Sequence, residues 1–120
     1  MPIRKITWEE VVKATKDITD QIRRFEQKRE KEFLGIYGVP RGGLIVAVML
    51  SHALNRPYLG APALNSIVAD DVASSGKTVA AHSKAVTVAL CKYTQCDPAP
   101  TFWSIEVEGA EVIFPWEELL

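Results

Sequence analysis

The spacing of apolar and polar residues divides the chain into alternating helical and extended stretches. Val11, Ala14, Ile18, Ile22 and Phe25 recur at steps of three and four, with Lys13, Asp17, Asp20, Arg24 and Lys28 between them. That spacing predicts one amphipathic helix. Thr7-Trp8-Glu9-Glu10 has the form of a capping box, in which the hydroxyl and the carboxylate each meet a free N–H at the helix start. The mixed-sign run Lys28 to Glu32 reads as the solvated end of this helix, not as a binding patch. Phe33 to Tyr37 is short, apolar and followed by Gly38 and Pro40, which predicts a buried strand. Leu44 to Leu54 is apolar almost throughout and predicts a helix covered on most sides. Further strands are expected around Tyr58, at Ser66 to Ala69 and at Ala85 to Cys91, with a short helix from Lys77 to Ser83. Gln95 to Thr101, with Pro98 and Pro100, is a loop, and Phe102 to Glu106 a last strand or edge segment. Strands alternating with helices predict an α/β fold, a central parallel sheet with helices on both faces.

The totals narrow the function classes. A chain of 120 residues, 48% hydrophobic and 24% charged, suits one globular domain spanning 1–120. A formal net charge of −1 offers no general attraction to nucleic acid or to a membrane surface. No run is long and apolar enough to cross a bilayer. Cys91 and Cys96 lack companions at zinc-ligand spacing, and two thiols in a chain with no signal-like leader lead us to expect a reducing cytoplasm.

The candidate chemistry sits in two loops. Ile67 to Ala69 runs into the carboxylates Asp70 and Asp71, then through Ala73, Ser74 and Ser75 to Gly76, Lys77 and Thr78, where a helical pattern begins. At a strand-to-helix junction, free N–H groups and the helix dipole favour an anion. Gly76 permits close backbone approach, Ser74, Ser75 and Thr78 add hydroxyl donors, and Lys77 adds charge. Asp70 and Asp71 beside a phosphate suit ribose hydroxyls or a Mg²⁺ that keeps its own waters. The phosphate loop of ATPases is excluded, because its glycine falls where Asp71 stands. Upstream, Gly38-Val39-Pro40-Arg41-Gly42-Gly43 is a second glycine loop ahead of a helix, with Arg41 offering a planar donor fork for phosphate oxygens.

Together these stretches resemble the type I phosphoribosyltransferases. Ile67 to Thr78 resembles their phosphoribosyl pyrophosphate (PRPP) motif, and Val39-Pro40-Arg41-Gly42-Gly43-Leu44 their pyrophosphate loop, in the family's order. Ile6 to Glu10 and Val112-Ile113-Phe114-Pro115-Trp116-Glu117 resemble the ends of the xanthine–guanine branch. The resemblance implies a Rossmann-like parallel core with a reduced C-terminal hood, and transfer of ribose 5-phosphate from PRPP to a base, a purine in this branch, with release of pyrophosphate and with Mg²⁺ as cofactor. It assigns Asp70, Asp71 and Arg41 to catalysis, the acidic pair also to the metal, and Ala73, Ser74, Ser75, Gly76, Lys77 and Thr78 to the 5′-phosphate. It further assigns Arg41, Gly42 and Gly43 to pyrophosphate, and Lys92 to the base. The implied partners are PRPP and a nucleobase or nucleoside monophosphate, and the resemblance admits a homodimer.

Three differences from the family pattern carry an alternative. Arg56 to Ser66 leaves no room for the family's closing loop, Ser74 replaces an aspartate that handles the base's proton, and Glu111 replaces an aromatic residue. The alternative is a non-catalytic sensor or regulatory module that binds PRPP or a nucleotide.

Overall fold

The computed structural model describes residues 1–118. It opens with a strand that the sequence pattern does not reveal, β1 (Ile3–Lys5), followed by helix α1 (Trp8–Arg29). The capping box forms as expected: the Glu10 N–H donates to Thr7 Oγ1 at 3.1 Å, and the Thr7 N–H to Glu10 Oε1 at 3.2 Å. Val11, Ala14, Ile18 and Ile22 are almost wholly buried along the expected stripe. The end of the helix is less solvated than its charges suggest. Arg29 lies 4.0 Å over the Phe33 ring and donates to Asn65 Oδ1, while buried Glu26 accepts from the Phe33 N–H at 2.7 Å and pairs with Arg56 at 3.1 Å.

Then come β2 (Ile36–Gly38), α2 (Gly42–Leu54), the two-residue β3 (Tyr58–Leu59), β4 (Ile67–Ala73), α3 (Lys77–Ala81), β5 (Val86–Tyr93), β6 (Phe102–Val107) and β7 (Glu111–Ile113). A 3₁₀ turn over Pro115–Glu117 follows. Several expected bounds shift: β4 runs past Ala69 through Asp70 and Asp71 to Ala73, and β5 past Cys91 to Tyr93, because the two keep pairing in register. Phe33 precedes its strand, its ring stacked 5.8 Å from Phe25, and α3 stops at Ala81 because His82 leaves the helical region and accepts a turn hydrogen bond from the Ala85 N–H.

The main sheet has five parallel strands in the order β3-β2-β4-β5-β6. Along each strand alternate residues face opposite ways. Ile36, Ile67, Ala69, Val88 and Leu90 join the core under α1 and α2. On the opposite face, Val68, Thr87 and Ala89 lie beneath Thr78 and Val79 of α3. Helices therefore cover both faces, the second by a single short one. A separate parallel pair, β1 with β7, registers Ile3 with Glu111 and Lys5 with Ile113. This pair is the hood, and the chain's amino-terminal strand supplies half of it.

Chain order reverses at the middle of the main sheet: β2 leads outward to β3, then the chain returns to β4 on the other side. Such a switch point leaves a crevice beyond the carboxyl ends of the two diverging strands, here β2 and β4.

Candidate functional site

Both candidate loops leave the sheet at that crevice. The bend after β2 brings Gly42 and Gly43 onto β4, and the fit requires glycine at both. A Cβ on Gly42 would collide with the Asp71 carboxylate, and one on Gly43 would lie 2.5 Å from the Ala69 carbonyl oxygen. Arg41 ends up exposed at the start of α2, and among the described residues it forms no ion pair. The bend after β4 turns at Gly76, which has φ +94° and packs so closely on the Asp97–Pro98 backbone that a side chain there would clash. Ser75 Oγ accepts from the Lys77 N–H at 3.3 Å and shapes the loop.

The acidic pair belongs to the strand itself, since β4 continues in register with β5 as far as Ala73 opposite Lys92. Asp70 Oδ1 accepts from the Asp71 N–H at 2.9 Å and Asp71 Oδ1 from the Val72 N–H at 2.8 Å. One oxygen of each carboxylate remains for other work. Burial, and then the neighbouring Asp71 carboxylate, push Asp70 up to about 7.

Two clefts meet at this pair. A narrow one is lined by the whole run Ala73 to Thr78 together with Asp70, Val68, Thr87 and Ala89. The other, about 700 Å³, joins Pro40, Arg41 and Gly42 to Asp70 and Asp71, and is closed on one side by Trp116, Glu117 and Glu118. That is ample for a small ligand, since such sites span roughly 300–1,000 Å³. Asp70 is common to both clefts, so a ligand in the two together would pass over the acidic pair.

Compared by sequence, the chain matches no family model and no curated protein. Compared by structure, it superimposes on a purine phosphoribosyltransferase from Pyrococcus horikoshii with a TM-score of 0.82 at 23% identity, over 100% of this chain and 97% of that one. The fold is the phosphoribosyltransferase fold. The xanthine–guanine–hypoxanthine phosphoribosyltransferase of Helicobacter pylori gives a TM-score of 0.74 at 16% identity, covering 95% and 94% of the two chains. A hypothetical protein of Neisseria gonorrhoeae with bound ppGpp gives 0.76 at 17%, covering 99% and 92%.

Within this phosphoribosyltransferase fold, most sequence-derived candidates converge: Arg41, Gly42, Asp70, Asp71 and the run Ala73 to Thr78 all border the joined clefts. Two do not. Gly43 is buried beneath the first bend, where it packs on β4. Lys92 is buried at the end of β5, 3.3 Å from Glu106 and 4.8 Å from the centre of the Trp103 ring. Glu111 is exposed on β7 and lines neither cleft. Trp116 packs against Phe114 and Trp8 and also borders the larger cleft. Glu117 and Glu118 in that wall were not legible as site residues, and the Pro-Trp turn was the only hint of them. Cys91 and Cys96 are free and buried, and burial pushes Cys91 up to about 12, which leaves its thiol inert.

Proposed function

We propose that this chain is a phosphoribosyltransferase that moves ribose 5-phosphate from PRPP to a nitrogenous base and releases pyrophosphate. One observation carries the reading. Two glycine bends open side by side at the switch point of a parallel sheet, with an acidic pair between them and an exposed arginine at the rim. In this reading the run Ala73 to Thr78 holds the 5′-phosphate through backbone N–H groups and hydroxyls. Because α3 spans only Lys77–Ala81, its dipole contributes little and Lys77 supplies most of the charge. Asp70 and Asp71 hold the ribose hydroxyls and stabilise positive charge on the sugar, while Arg41 and the Gly42 N–H steady the departing pyrophosphate.

The donor set fits Mg²⁺. Two carboxylates with one oxygen each to spare, and no third acidic, histidine or cysteine side chain grouped with them among the described residues, suit a hard cation that keeps water and substrate oxygens. When bound, the ion would neutralise charge on the pyrophosphate. The purine and xanthine–guanine–hypoxanthine phosphoribosyltransferases of the same fold support a purine as acceptor. The free thiols suit a cytoplasmic setting.

The second reading, a nucleotide or PRPP sensor, draws on Lys92 being engaged away from both clefts. The test is nucleotide formation from PRPP, Mg²⁺ and a panel of purine and pyrimidine bases, alongside calorimetry of PRPP binding. Turnover that falls about 10²-fold or more in Asp71→Asn supports the transferase, by loss of charge stabilisation. Binding without turnover on any base supports the sensor, and no binding by folded protein sinks both.

A further inference from the structure

Transfer from a sugar 1-diphosphate passes through a sugar with positive charge at C1, so any nucleophile that reaches that carbon competes for it. Delivery to a base requires water to be kept out, ordinarily by a segment that closes over the site. In this chain the return from β3 to β4, Gly60 to Ser66, is tied down at its far end, through Asn65. The Leu34 N–H donates to the Asn65 carbonyl at 2.8 Å, Arg29 Nη2 to Asn65 Oδ1 at 2.6 Å, and Asn65 Nδ2 to the Glu32 carbonyl at 2.9 Å. These bonds lie where β2 and β4 begin, whereas the acidic pair occupies the middle of β4, on the way to its carboxyl end.

The cleft around the pair is open to solvent. Arg41, Ser74, Ser75, Glu117 and Glu118 are exposed, and Asp70 and Asp71 are half-buried. The side chain assigned to the base is meanwhile held by Glu106 and Trp103. Every group that would activate the sugar borders the cleft, while among the described residues nothing covers it and its expected base contact is occupied.

We propose, on the reading of the two bends given above, that water is an acceptor at this site and that with no base bound the protein hydrolyses PRPP to ribose 5-phosphate and pyrophosphate. The water oxygen bonds to C1 as the C1–O bond to pyrophosphate breaks. The electron pair leaves with pyrophosphate, and the proton of the attacking water passes to solvent. Asp70 and Asp71 stabilise the positive sugar, and Arg41 with the Gly42 amide holds the leaving group.

The experiment follows PRPP with MgCl₂ and the full chain by phosphorus NMR, in isotopically labelled water, with and without a purine base, against a protein-free control. The expected result without base is equal accumulation of ribose 5-phosphate and pyrophosphate above the control, with no label in the pyrophosphate because the broken bond is at carbon. Arg41→Ala, an exposed change that disturbs no described contact, should lower that rate about 10²-fold. Pyrophosphate released only when base is present, one nucleotide for each, overturns hydrolysis and leaves the transferase standing. Label in the pyrophosphate, or an Arg41→Ala rate equal to the parent's, overturns it as well. Binding by calorimetry with no release in either condition overturns both hydrolysis and transfer, and no binding overturns the ligand assignment itself.

Discussion

Asp70 carries a charge that its own surroundings disfavour. Its carboxyl titrates near 3.8 in an unfolded chain and about 7 in the folded one, because burial and then Asp71 disfavour its charge. Between those values the native state binds the extra proton, so this group's contribution to stability falls as pH rises through that window. Asp70→Asn should therefore become progressively more stable than the parent from about pH 4 to about pH 7, as read by thermal melts at a series of pH values. Gly42 makes the opposite case, in which a neutral residue is required by space. Gly42→Ala would force its new methyl group into the Asp71 carboxylate, and should cost about 1–3 kcal/mol in chemical denaturation and weaken PRPP binding. Much at this scale was readable in the sequence, because Arg41, Gly42, the acidic pair and Gly76 act through their own backbone and immediate neighbours. Lys92 was not, since its partners Glu106 and Trp103 come from the next strand and no local pattern announces them.

The elements were legible where they rest on periodicity and caps. Helix α1 carries both signals and begins where they place it. Strand β1 was missed because Ile3–Lys5 alternates weakly and pairs only with β7, from the far end of the chain. The tie between α1 and the link from α2 to β3 was missed too: Glu26 lies on the apolar stripe and looks solvated until Arg56 meets it. The pair is 7% and 15% exposed, so removing one partner strands a buried charge. Arg56→Ala should destabilise the protein by about 3–5 kcal/mol, whereas replacing Glu26 and Arg56 together with leucines should recover much of that loss in urea melts.

On the scale of the molecule, the site is a meeting of distant parts: two bends from the sheet, and a wall brought by the last turn. That wall is held by the hood, where the Ile6 N–H donates to the Ile113 carbonyl at 2.9 Å and the Glu111 N–H to the Pro2 carbonyl at 2.8 Å. Removing Met1 to Lys5 should leave the main sheet cooperative in melting but weaken PRPP binding, because Trp116 and Glu117 lose their anchor beside the cleft. A truncated chain that binds as tightly as the parent would show the wall to be dispensable. The fold class, a parallel α/β sheet with helices on both faces, followed from alternation of element types, which needs no long-range detail, whereas the reversal of strand order that opens the crevice shows only in the folded chain.

The return between β3 and β4 offers a practical handle. Pro62 to Leu64 are exposed and lie beside Ser83 to Ala85, ahead of β5, at the pole of the sheet remote from the two bends. A fluorescent peptide tag or a surface tether spliced in at Pro62 should report on or immobilise the protein while leaving ligand access untouched.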